Sequence, residues 1–236
     1  MRNRPWLKWV LLGLGVVVVV AVVAPFVYIH FIKSDAPKPL SLDDVPTQTT
    51  APDPSGSTVP ANASVDGTYQ IGTGSVAGYR AKEVLFGQNA DAAGRTNDVT
   101  GTMVLTGTTV PKADFTVGLA SVKSDEDRRD QQFQGRIMDV ASHPNATFVL
   151  TKPITLPSVP AVNKQITVPA TGEFTLRGTT KTVTFDVTAS RKGSNTIAVQ
   201  GSVPIVWSEW NIPQPSFGPA QVADSGEIEF LLVLNR

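Results

Sequence analysis

The 236-residue chain has no cysteine and only two histidines, and just 17% of its residues are charged. Without cysteine there is no disulfide, no thiolate metal site and no lipid-bearing N-terminal Cys. An oxidising compartment permits disulfides but does not require them, so this absence assigns no compartment. His30 ends an apolar run and His143 precedes Pro144, so a Ser-His-Asp arrangement would rest on His143 alone. No G-x-S-x-G elbow presents a serine, and neither a Walker loop nor a dinucleotide-type glycine loop occurs. Asp125, Glu126, Asp127 and Asp130 crowd together. At the start of a predicted helix their ordinary role is solvated charge against the helix dipole. The residues therefore point away from an enzyme, with no catalytic side chain, metal or cofactor. Formal charge is zero, and after residue 65 fifteen Lys and Arg stand against sixteen Asp and Glu. No basic field exists to collect phosphates, which excludes nucleic acid as a partner.

What the N-terminus does have is a long apolar run. Trp9 to Ile32 contains no Asp, Glu, Lys or Arg, long enough to cross a hydrocarbon core of ~30 Å as a helix. Arg2, Arg4 and Lys8 precede it, whereas Lys33 and Lys38 after it are partly offset by Asp35. The positive-inside rule puts residues 1–8 in the cytoplasm and everything after residue 32 outside the plasma membrane. Trp6, Trp9 and Tyr28 are placed as interfacial aromatics. The competing reading is a cleaved signal peptide ending at Val22-Val23-Ala24; Pro25 would follow the cut and the apolar run continues past it. Residues 33–65 are rich in Pro, Thr, Ser and Ala with no apolar period, and read as a disordered, partly stiff, solvated linker.

Residues 66–236 suffice for one domain. Gly172–Val187 reads GEFTLRGTTKTVTFDV, two strand-patterned runs around a corner placed at Gly178–Lys181. Val183, Phe185, Val187 and Ala189 alternate with Thr182, Thr184, Asp186 and Thr188, as a strand with one packed and one wet face does. Further strands are predicted at 68–71, 76–86, 99–106, 113–122, 146–152, 167–177, 181–190, 196–208 and 226–235, with Gly87-Gln88-Asn89 as a turn. Eight or nine long strands in one domain favour closure into an antiparallel barrel. One helix interrupts them, with Ser124 as N-cap, Asp127 at N3, an end near Gly135 and Phe133 turned inward. Asn62-Ala63-Ser64 and Asn145-Ala146-Thr147 match a glycosylation sequon, a triplet common by chance. An eight-stranded barrel is either filled by its side chains or holds one slender ligand, and the residues leave both open.

A resemblance sharpens this. Arg129-Asp130, then Ile137-Met138-Asp139-Val140, then His143-Pro144-Asn145-Ala146-Thr147-Phe148, resemble the helix-and-strand signature of YceI-like domains. The hairpin residues Gly172, Thr175, Leu176, Gly178, Thr180, Lys181, Val183 and Phe185 are similar to that family's G-x-L-T-x-x-G-x-T-K-x-V-x-F pattern. Ser121-Val122 and Ser124-Asp125 fit the segment before the helix. The likeness covers about residues 66–236. It departs from the family at Trp207-Ser208-Glu209-Trp210-Asn211-Ile212-Pro213, where a basic residue, an acidic one and a glycine are frequent, and at His143, where Tyr is frequent. The resemblance implies an all-β, lipocalin-like antiparallel barrel of about eight strands with one short helix. It also implies an apolar pore for a long-chain lipid, with polyisoprenoids and isoprenoid quinones the usual class. Given such a pore, alternation assigns Phe115, Leu119, Phe133, Ile137, Phe148, Leu176, Phe185 and Trp207 to its wall. The function that follows is a membrane-anchored, extracytoplasmic lipid-binding protein. The alternative is a ligand-free surface module whose Trp207, Trp210 and Phe217 form an exposed patch for a partner protein.

Overall fold

The structure, a computed structural model, describes residues 36–46, 64–159, 161–216, 218 and 220–236, plus five isolated positions before them. Residues 1–36 and 37–236 form two separate units. In the first, the described positions Leu14, Val17, Val19, Val23 and Val27 are helical with exposed side chains. The rest of the expected membrane span, 9–32, lies outside the described residues, among which no helix is long and apolar enough to cross a membrane.

The second unit is an all-β antiparallel barrel with one short helix. Its strands are β1 (Gly67–Ile71), β2 (Val76–Leu85), β3 (Gln88–Thr96), β4 (Val99–Thr106), β5 (Thr109–Gly118), β6 (Lys123–Ser124), β7 (Asn145–Lys152), β8 (Ile154–Thr155), β9 (Gln165–Leu176), β10 (Thr179–Arg191), β11 (Thr196–Val206) and β12 (Ala220–Asn235). Eight of them form the ring, in the order β1-β4-β5-β7-β9-β10-β11-β12. Two pairs, Gln70 with Asn235 and Ile71 with Leu234, bring β12 back to β1 and close it. Closure leaves no long open edge in the ring. Along its other stretch β12 pairs β2, which carries β3 and then β6. A helix α1 (Asp127–Gln132) follows, and runs directly into a π-helical turn over Phe133–Ile137.

Local chemistry explains most of these elements, and several corrections. The β9–β10 turn is Arg177-Gly178, both at positive φ (47° and 71°), between the paired residues Leu176 and Thr179. This two-residue turn matches the twist of a hairpin, and its corner, Leu176–Thr179, lies two residues earlier than the expected Gly178–Lys181. On the outer face, opposed threonines bond across the hairpin, Thr175–Thr180 at 2.8 Å and Thr171–Thr184 and Thr167–Thr188 at 2.9 Å. The N-cap of α1 is Glu126, whose side chain accepts from the Arg128 amide, and not Ser124. Ser124 instead gives both its amide and its hydroxyl to Asp130 Oδ1. β3 escapes the strand pattern, which marks only Gly87-Gln88-Asn89 as a turn, because QNADAAGRT has no β-branched residue before Thr96. It is a strand because it pairs with β2 over nine consecutive positions. The strand within the 113–122 run ends at Gly118, and the Leu119 amide makes one further bond to Pro144 O, the residue before β7.

The largest correction lies in the Pro-rich stretch. Residues 37–46 do not behave as solvated linker but lie as a strap on the outside of β11, β12 and β2. Leu40, Leu42 and Val45 are buried against Ala198, Leu231 and Val233. Ser41 and Asp44 form a reciprocal capping box around the single turn Leu42–Asp44, and the Leu42 amide donates to Gln200 Oε1 at 3.0 Å. Beside this apolar patch, Glu229 lies between Arg80 and Arg95, which in turn donate to the carbonyls of Pro37 and Lys38. The remainder of the linker, 47–63, falls outside the described residues.

Candidate functional site: an apolar cavity in the barrel

Inside the ring lies a cavity of about 140 Å³. Its wall draws on β2, β4, β5, β7, β8, β9, β10, β11 and β12 and is hydrocarbon throughout. Met103, Val168, Ala170, Val187, Val199 and Leu232 are typical of the wall. A cavity of about this size lined only by hydrocarbon stays dry and accepts a small apolar molecule. Three rings hold its centre: Phe185 meets Phe148 edge-on at 5.4 Å and Phe230 edge-on at 5.9 Å.

The hollow exists because glycines face the large rings. Gly101 is the cross-strand partner of Phe115, and Gly201 that of Phe230. A Cβ on Gly201 would stand 2.6 Å from Phe230 Cζ, and one on Gly172 would stand 2.5 Å from Phe148 Cζ. Each ring therefore lies flat along the neighbouring backbone and not across the lumen. Gly201→Ala is expected to swing Phe230 inward and cut uptake of a small apolar probe such as xenon by more than half. The associated overpacking costs about 1–3 kcal/mol. Xenon binding, together with a melting curve, checks both; an alanine variant with undiminished uptake would show that the glycine does not hold the space open.

Of the eight residues assigned to the pore, Phe115, Phe148 and Phe185 are on the cavity wall. Leu119, Phe133, Ile137, Leu176 and Trp207 are not: they pack in a second apolar cluster with Ile205, Trp210 and Ile212. Alternation reports which face a side chain takes, not how far along the barrel axis it sits. At this end the helical segment fills the interior, with Phe133 stacked on Tyr79 at 5.2 Å. Trp207 donates its indole N–H to Ala223 O at 2.6 Å, and Trp210 meets Phe174 edge-on at 5.2 Å. Both tryptophans are buried, so they do not form the exposed patch of the alternative reading; Phe217 lies outside the described residues. His143 rests against the Gly178 turn.

Polar groups cluster at the same end. Arg129 pairs with Glu83 at 3.2 Å and with Asp125. Burial works against its charge, and the two carboxylates outweigh that and raise its pKa. Burial above all pushes the Tyr79 phenol far up, with Arg129 pulling down and Asp130 and Asp125 pushing up. Burial likewise raises Tyr69, against Arg236 and Arg191. In both cases the fold favours the neutral phenol. The stability this confers is complete below the unfolded phenol value of ~10 and is lost as pH rises beyond it. A tyrosinate absorbance titration is expected to show Tyr69 and Tyr79 ionising only as the barrel unfolds. Tyr69→Phe and Tyr79→Phe should each remove part of that late signal; early ionisation in a folded barrel would contradict the assignment.

The family model described as "YceI-like domain" matches residues 54–234. The chain belongs to the YceI-like family. Among solved structures, a polyisoprenoid binding domain from Saccharophagus degradans superimposes with a TM-score of 0.57 at 14% identity, over 72% of this chain and 98% of that one. The YceI protein of Campylobacter jejuni gives a TM-score of 0.50 at 19% identity, over 61% of this chain and 84% of that one. At these identities the likeness concerns the fold. A search of the curated proteins finds no match.

Proposed function

We propose that this YceI-like protein is a membrane-anchored, extracytoplasmic binding protein for a long-chain lipid, a polyisoprenoid or an isoprenoid quinone. The observation that carries the reading is the cavity: a hydrocarbon-walled space at the centre of a closed barrel. Membership of the YceI-like family supports it, as does the description of the Saccharophagus degradans neighbour as polyisoprenoid-binding. Each buried CH₂ contributes ~0.8 kcal/mol relative to water. A bilayer offers nearly the same transfer energy, so the barrel need only match the membrane, and selectivity comes from fit and head group. The space suits a short branched segment, and a longer chain requires the surrounding side chains to move apart. The apolar run 9–32 would hold the barrel at the lipid surface and raise the effective concentration of its ligand. The flanking Arg2, Arg4 and Lys8 support a cytoplasmic N-terminus.

The test is to purify the full chain in a mild non-ionic detergent and identify co-extracted lipid by mass spectrometry. One prenyl-type lipid per chain is expected, enriched over the detergent extract of the same membranes. Lipid in the same proportions as the extract would sink the proposal.

A further inference from the structure

At the end of the barrel where β1 meets β12, the inner face carries a charge. Arg191 follows Phe185, Val187 and Ala189 at two-residue steps along β10, and its cross-strand partner is Ile197. Ile197 pairs with Leu234, and all of these except Arg191 line the cavity. Arg191 thus takes the next inward position of β10 beneath the cavity, without itself lining it. It is 3% exposed. Its Nε donates to Gly193 O at 2.9 Å, while its buried Nη2 donates to nothing. Among the described residues no carboxylate forms an ion pair with it.

The one carboxylate acting on this neighbourhood, Asp66, accepts from the Gly107 amide and forms no ion pair with Arg191. Lys192, the next residue, is buried and has no ion-pair partner among the described residues. Arg236 donates to Ser64 O, Asp66 O and Asn195 Oδ1, all uncharged acceptors. Tyr69, which feels both Arg191 and Arg236, uses its hydroxyl to donate to Val65 O. An ionised guanidinium with a free N–H under a hydrocarbon ceiling is costly, and an arriving anionic oxygen would offset that cost.

We propose that Arg191 is an oxyanion site at the floor of the cavity, which binds the acidic head of an amphiphile that enters head first. The inference rests on the lipid-binding reading above and adds the head group and the direction of insertion. Carboxylate and phosphate heads share the required chemistry: both accept a charge-assisted, forked hydrogen bond from a guanidinium. A hydroxyl head of the same chain length does not.

The experiment uses the delipidated full chain in a non-ionic detergent, with palmitate, hexadecyl phosphate and hexadecanol as matched probes and binding read by native mass spectrometry. One or both acidic probes are expected to bind about tenfold or more tightly than hexadecanol, and the stronger of the two identifies the head. Arg191→Met should bring the acidic probes down to the level of hexadecanol and leave hexadecanol unchanged. Equal affinity for all three probes in the unmutated protein overturns the proposal without any variant, so a folding failure of Arg191→Met does not shield it. A preference that survives Arg191→Met overturns it too. If no probe binds and no lipid co-purifies, the lipid-binding reading falls and this one with it; hexadecanol bound as well as the acids removes only the head-group site.

Discussion

Ala170→Trp is expected to leave the barrel folded and almost free of lipid. Ala170 is on the inner face of β9, 3% exposed and directly across from Phe185. An indole there projects into the 140 Å³ space against the Phe148, Phe185 and Phe230 rings. Filling an existing hollow gains contacts that the alanine lacks, while imperfect fit costs about 1–3 kcal/mol. The net change in stability should therefore be small against the loss of ligand. Glu173→Trp on the same strand, an outward-facing position, is the control and should keep its lipid. Lipid per chain and the melting temperature decide it together. A tryptophan variant that stays loaded would mean that the ligand lies elsewhere.

The second expectation concerns stability. Glu229→Leu should lower it by about 3–5 kcal/mol, the usual result of stranding buried charge. Glu229 is 4% exposed and holds Arg80, itself 7% exposed, at 3.3 Å and Arg95 at 2.9 Å. Without the carboxylate, two guanidinium groups face each other under the strap, and the nearest remaining acid is Asp91, 3.7 Å from Arg80. The same arginines donate to the carbonyls of Pro37 and Lys38, so residues 37–46 should loosen as well. Faster hydrogen exchange of the Leu42 amide, held in the parent by Gln200 Oε1, would report this. The double variant Arg80→Met/Glu229→Leu should recover much of the loss, since replacing a buried ion pair by packed apolar groups is often neutral. A Glu229→Leu protein that melts with the parent would show that the cluster contributes nothing.

These two sites differ in how far the sequence discloses them. The strictly alternating run from Val183 to Ala189 placed β10 and its inner face, because one side of that strand is packed and the other is a wet threonine ladder. β12 resists the same reading. Phe230-Leu231-Leu232-Val233-Leu234 is apolar without a break, since Phe230, Leu232 and Leu234 face the cavity while Leu231 and Val233 lie under the strap. The strap was illegible for the complementary reason: three apolar side chains among prolines show no period. Phe115, Phe148 and Phe185 were found because large rings on inward positions are visible as such. The smaller wall residues Ala170, Val168 and Val199 were not, because size alone does not mark a lining residue.

Period-2 alternation determined by itself that this chain carries an antiparallel sheet of long strands and favoured its closure into a barrel, while the two spaced motifs resembled one family. Only the tertiary structure decided where along the barrel axis each inward residue stands, and hence which end is packed solid and which holds a hollow. It alone decided, too, that one arginine lies beneath that hollow with an unused donor. The reason is geometric: a strand pattern fixes the face of a side chain, whereas depth and neighbours depend on how strands distant in sequence are staggered when the ring closes.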